Sequence, residues 1–105
     1  MIYEATADML CAREETFGPF ALVFRFKAEQ EAIDAANNTE FGLASYFCSC
    51  NVGGIYRVAE ALKYGMVCID VGVSATEHVP FGGAKQSRLG REGSSHGIDE
   101  YVEMK

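Results

Sequence analysis

The chain has 105 residues, 49% of them apolar, and a formal net charge of −6. That length allows one domain able to bury roughly 65% of its unfolded surface, and that apolar content excludes a disordered chain. The acidic balance excludes nucleic acid and anionic membrane surfaces as partners, because both need clustered Lys and Arg, and no apolar run approaches the ~18 residues of a spanning helix.

Met1-Ile2-Tyr3-Glu4 lacks the charged and apolar regions of a signal peptide. Four cysteines without such a leader point to a reducing, cytoplasmic setting. Cys48 and Cys50 lie two apart, while Cys11 and Cys68 stand alone. This is neither a redox Cys-x-x-Cys nor a pair of zinc knuckles, so no metal is expected and the thiols read as small apolar residues.

Residues 1–13 show little period, and Ala7 to Ala12 fits either a helical turn or an extended lead-in. Gly18-Pro19 stops any regular element. Phe20 to Phe26 has strand length and composition, with Phe24 and Phe26 on one face of its end. Glu29 to Asn37 predicts a helix with an Ala32, Ile33, Ala36 stripe and acids in the first turn, where the dipole favours them. Leu43 to Ser49 is a second strand. Asn51 caps a second helix, whose Ile55, Val58, Ala59 and Leu62 share one face and which Gly65 stops. Met66 to Asp70 is a third, continuously apolar strand, and Gly90 to Tyr101 a last helix weakened at Gly93 and Gly97. Val102 to Lys105 has the character of a further strand's start.

Short apolar strands joined by helices predict an α/β fold. Its core is a three-stranded, mostly parallel βαβαβ arrangement, followed by a long loop and a C-terminal helix. The loop leaves the carboxyl end of a strand, where open α/β sheets place ligands. Its stretch Pro80 to Gly93 holds four of the eleven glycines and three of the nine basic residues. Such a stretch either brings backbone close to a ligand or serves as a structural connection, and composition alone leaves both open.

No complete catalytic constellation is visible. Neither phosphate-cradling glycine fingerprint is present, nor a Gly-x-Ser-x-Gly elbow. Glu14-Glu15 suits acid–base work or plain solvation, Glu92 suits dipole complementarity at a helix start, and His78 reads as a surface side chain.

Taken together, Glu14-Glu15-Thr16-Phe17-Gly18-Pro19, Asn37 to Gly42, and Pro80-Phe81-Gly82-Gly83 with Lys85, Ser87 and Gly90-Arg91-Glu92 resemble the aldehyde dehydrogenase superfamily. The match runs in order from about Ala7 to Lys105. Within the superfamily, Asp8-Met9-Leu10, Arg57 to Leu62, Tyr64 to Val67 and Lys85-Gln86-Ser87 are most similar to the succinate-semialdehyde branch.

The resemblance implies roles. Glu15 would accept hydrogen bonds from the nicotinamide-ribose hydroxyls of NAD or NADP, and Phe17 would pack near the nicotinamide ring. Phe81 would line the tunnel of a small aldehyde substrate, and Thr76 would supply a hydroxyl to that substrate's distal carboxylate. Glu92 would be a buried glutamate assisting proton movement. In the family a cysteine thiolate attacks the aldehyde, hydride passes to the nicotinamide, and water hydrolyses the thioester. The resemblance places that cysteine, the general base and the dinucleotide-binding domain before the stretch seen here. Residues 1–105 are therefore expected to be the C-terminal portion of a catalytic domain, inactive alone and binding no cofactor by themselves. A noncatalytic reading stands beside this one: a module that self-associates as a homo-oligomer, or docks on a partner, through exposed sheet edges.

Four residues depart from the family's pattern: Arg88 and Cys68 where Gly is usual, Asp70 where Asn is usual, and Ala75 where the branch tends to carry a hydroxyl.

Overall fold

Leu22 and Val23 are the part of the Phe20 to Phe26 run that forms a strand, and their partner is the chain's own start. The computed structural model describes residues 1–87, 89–103 and 105. Strand β1 (Ile2–Tyr3) pairs in parallel with β2 (Leu22–Val23), Ile2 facing Leu22. The ladder stays short because Glu4 turns to a positive φ of 56°, which ends β1 after two residues. Helix α1 spans Glu29–Asn37 as the sequence predicts, with Ile33 buried and Ala32 and Ala36 half-buried. The Glu31 carboxylate reaches back to accept the Lys27 N–H at 3.0 Å, satisfying a donor that the helix itself leaves unpaired.

Strand β3 (Ala44–Phe47), helix α2 (Val52–Ala61) and strand β4 (Met66–Ile69) form one βαβ unit. The strands pair in parallel, Ala44 facing Met66 and Phe47 facing Ile69. Asn51 caps α2 as expected, its Oδ1 accepting the Gly54 N–H at 2.9 Å. The helix ends at Ala61 rather than running to Gly65. Asn37 explains the early stop: its Nδ2 donates to the Ala61 carbonyl and its Oδ1 accepts the Lys63 N–H, both at 2.8 Å. One side-chain amide thus satisfies a carbonyl and an N–H on either side of the helix end.

Two expectations need correction. The strands do not form one three-stranded core; among the described residues they make two two-stranded sheets, β1 with β2 and β3 with β4. β2 finds its ladder partner at Ile2–Tyr3, a segment too short to carry a period. The C-terminal helix is also reduced, to a short 3-10 helix at Gly97–Tyr101. Gly90, Gly93 and Ser94 take positive φ values of 89°, 68° and 53°, which no right-handed helix can include. The face expected of Phe24 and Phe26 stays exposed, and Val102 and Glu103 form no strand. Arg88 lies outside the described residues.

The chain divides into two compact units, Met1–Ala35 and Ala36–Lys105. Among the described apolar residues only Ala5, Ile33 and Met66 are buried. The accessible surface is 8295 Å². A folded monomer of this mass exposes about 5,800 Å², and even two separate compact bodies of these sizes would expose only about 6,900 Å² together. Among the described residues no helix is long and apolar enough to cross a membrane.

Candidate functional site

Glu15 and Phe17 stand in the first unit, on an irregular stretch between the 3-10 turn Leu10–Ala12 and β2. A tight turn follows, closed by the Phe20 N–H on the Gly18 carbonyl at 2.7 Å. Both side chains are exposed, Phe17 at 92%. A carboxylate is a pure acceptor and suits a vicinal diol, and an open ring face suits a flat heterocycle. The two side chains are accessible and lie two positions apart.

The second unit contains the glycine-rich loop, and its first half is fastened as structure. The Ala84 N–H donates to the Gly42 carbonyl at 2.8 Å, and the Gln86 N–H to the Glu40 carbonyl at 3.0 Å. The Gly42 N–H in turn donates to Ser87 Oγ at 2.8 Å. Lys85 Nζ donates to the carbonyls of Asn37 (3.1 Å) and Thr39 (2.9 Å) while lying 5.5 Å over the Tyr64 ring. Tyr64 donates its own hydroxyl to the Ala36 carbonyl at 2.7 Å, and burial raises its pKa above the ordinary 10.0. Gly65 sits against the Gly82–Gly83 backbone so closely that a Cβ there would overlap the Gly82 carbonyl oxygen. Lys85, Ser87 and the paired glycines therefore serve attachment.

The second half of the loop returns along its own start. Phe81 and Glu92 exchange both backbone hydrogen bonds at 2.8 Å as an antiparallel bridge, and the Ser94 N–H donates to the Glu77 carbonyl at 3.2 Å. The structure thus brings Phe81, half-buried, beside Glu92. It also corrects the reading of Glu92 as a helix opener: no helix starts there, and in this chain the residue is exposed. Arg91 locks the turn, its Nη1 donating to the carbonyls of Gly83 (2.9 Å) and Gly90 (2.8 Å), and its N–H to Glu100 Oε1 at 3.2 Å.

Beside this bridge lies a recess of about 270 Å³, lined by Gly65 to Cys68 of the β4 segment with Ser74, Val79, Pro80 and Arg91. Thr76 is exposed and does not line it. Sequence reasoning missed Ser74, whose Oγ meets the Tyr46 hydroxyl at 2.8 Å. Its signal was present as a second hydroxyl two positions earlier in the same loop. Asp70 adapts to its departure from the family pattern: at φ 54° its Oδ1 accepts the Ser49 N–H at 3.1 Å. Cys48 and Cys50 are exposed, against the reading of all four thiols as small apolar residues, while Cys11 and Cys68 are half-buried.

The profile of the aldehyde dehydrogenase family matches residues 1–105 from end to end. The chain belongs to the aldehyde dehydrogenase family. The 3-sulfolactaldehyde dehydrogenase of Pseudomonas putida is 55% identical over 105 residues, covering 100% of this chain and 22% of that protein. The crystal structure of succinate-semialdehyde dehydrogenase from Burkholderia pseudomallei superposes with a TM-score of 0.88 at 58% identity, over 91% of this chain and 20% of that one. An E. coli NADP dependent enzyme superposes with a TM-score of 0.94 at 50% identity, over 98% and 21% respectively. The chain therefore spans about a fifth of the length of the relatives it matches.

Proposed function

We propose that residues 1–105 are the C-terminal portion of an NAD(P)-dependent aldehyde dehydrogenase acting on a short aldehyde with an anionic far end, succinate semialdehyde first among them. The observation that carries this reading is the family match over every residue, joined to the names of relatives at 50–58% identity. Those names describe semialdehydes and a sulfonated aldehyde, all small and all negatively charged away from the carbonyl. Glu15 would accept hydrogen bonds from the cofactor's ribose hydroxyls and Phe17 would pack on the nicotinamide ring, a group that would supply a hydride acceptor. Phe81 lines the aldehyde's path. The loop carrying Ser74 and Thr76 offers hydroxyls to the substrate's charged end. Glu92, exposed in this chain, moves protons once further polypeptide covers it.

The chain alone is expected to give no reduced-nicotinamide absorbance with NAD or NADP and succinate semialdehyde. Heat-labile turnover by the purified chain would sink the reading of it as a noncatalytic portion. Supplying the preceding four-fifths of a relative as a separate polypeptide is expected to restore turnover, and Glu15→Ala to raise KM for the cofactor about tenfold through one lost charge-assisted contact.

A second reading, a noncatalytic module that associates with itself or with a partner, is supported by one observation. Apolar side chains such as Phe17, Leu89 and Tyr101 are at least 85% exposed, and the surface exceeds what compact bodies of these sizes show. Sedimentation over a concentration series tests it, and a clean monomer at high concentration counts against self-association.

A further inference from the structure

We propose that Tyr46 is a positioning residue: it fixes the loop Gly72 to Val79 and thereby sets the preference for an aldehyde with an anionic far end, an inference that rests on the dehydrogenase reading above. Strand β3 carries Tyr46 opposite Cys68 of β4, and directly paired residues share one face of a sheet. The loop that leaves β4 comes back to this pair. The Tyr46 hydroxyl meets Ser74 Oγ at 2.8 Å, and Ser74 lines the same recess as Cys68. Ser74 is half-buried, while Val73, Ala75 and Thr76 around it are exposed.

Other bonds hold the two ends of the loop. Before it, the Asp70 N–H donates to the Phe47 carbonyl at 3.0 Å, and Asp70 Oδ1 accepts the Ser49 N–H at 3.1 Å. Near its end the Glu77 carbonyl accepts the Ser94 N–H at 3.2 Å. Val71 to Thr76 lie between those points, and close packing does not seat them. Among the described residues, a Cβ added at Gly72 would meet nothing within 4 Å beyond its chain neighbours, and Val73 is 73% exposed. The Tyr46–Ser74 bond therefore fixes the middle of this stretch, two positions before Thr76. The small side chains divide the work: Ser74 attaches, Ala75 carries no hydroxyl, and Thr76 presents one outside the recess. A hydroxyl on a loop already held offers an anion its contact without the entropy cost of ordering the loop on binding. Without the Tyr46 hydroxyl that cost falls on the binding of the charged end. An aldehyde with an uncharged end draws little from Thr76 and escapes it.

The test has two arms. In the full chain alone, denaturant unfolding of Tyr46→Phe, Ser74→Ala and the double variant closes a cycle. Each single variant is expected to lower the folding equilibrium constant about fivefold, and the double variant also about fivefold rather than about 25-fold, because all three remove the same bond. In the second arm, wild type and Tyr46→Phe are each supplied with the preceding four-fifths of the same relative. There kcat/KM is measured for succinate semialdehyde and for butanal, which is of equal length but uncharged. Tyr46→Phe is expected to lower the ratio of the two values about fivefold, through KM for the charged substrate. A merely structural role would depress both values together and leave the ratio where it was. An additive cycle overturns the assignment of Tyr46, and so does an unchanged ratio beside a coupled cycle. No turnover by the supplemented wild-type chain overturns the dehydrogenase reading itself, and this role of Tyr46 with it.

Discussion

The two units differ in how far apart in sequence their side-chain hydrogen bonds reach. In Met1–Ala35 the side-chain hydrogen bonds are local: Arg13 to the Ala7 carbonyl, Glu31 to the Lys27 N–H, Gln30 to Asp34. In Ala36–Lys105 they span long separations: Asn37 brackets Ala61 and Lys63, Lys85 reaches Asn37 and Thr39, Ser87 takes the Gly42 N–H. Local bonds stabilise a turn of helix wherever it forms, whereas distant ones hold a fold. The second unit thus carries its own scaffold, and the glycine-rich loop belongs to it. The first is tied across distance by the β1–β2 ladder and the exposed Arg25–Glu4 ion pair at 3.3 Å, and it presents Glu15 and Phe17 on the irregular stretch before β2.

The largest break in this contrast is expected from Gly65→Ala. A Cβ there meets backbone rather than a flexible side-chain end, so the variant should lose about 3 kcal/mol by overpacking, read from denaturant midpoints. A loss below about 1 kcal/mol would mean the loop is not seated on Gly65. Next, Asn37→Ala leaves the Ala61 carbonyl and the Lys63 N–H without their partner and should cost about 2 kcal/mol. Tyr64→Phe should cost about 1 kcal/mol at neutral pH by removing the donor to Ala36. Because the folded pKa of Tyr64 lies above its unfolded value, its contribution is complete below pH 10.0 and is lost as pH rises through the folded value. Wild type should therefore lose stability faster than Tyr64→Phe above pH 10.0, and parallel pH profiles would refute this. The smallest effect is expected in the first unit: Glu15→Ala and Phe17→Ala, both exposed, should shift stability by no more than about 0.5 kcal/mol.

Elements written in local signals were legible in the sequence. α1 appears at Glu29–Asn37 because its stripe and acidic first turn lie within nine residues, and α2 begins where Asn51 caps it. Elements decided by distant partners were not. β1 is two residues long and exists only through β2, and the end of α2 is set by Asn37, 24 residues before Ala61. The last helix was misjudged although Gly93 and Gly97 already marked it as weak, and nothing in the residue type announces a positive φ at Ser94. At the candidate site, Phe81 and Glu92 were visible through family resemblance. Their mutual pairing, the exposure of Glu92 and the contact of Ser74 with Tyr46 depend on how the loop folds back.

The lysine at the centre of the loop has a chemical consequence. Acylation requires an amine that can shed its proton and turn its lone pair outward. Lys85 has its ammonium shared between two carbonyls and laid over an aromatic ring. Lys27, Lys63 and Lys105 are exposed. An amine-reactive label should therefore reach Lys85 last, and the order of labelling becomes a record of whether the loop is docked, readable by mass without any substrate or cofactor.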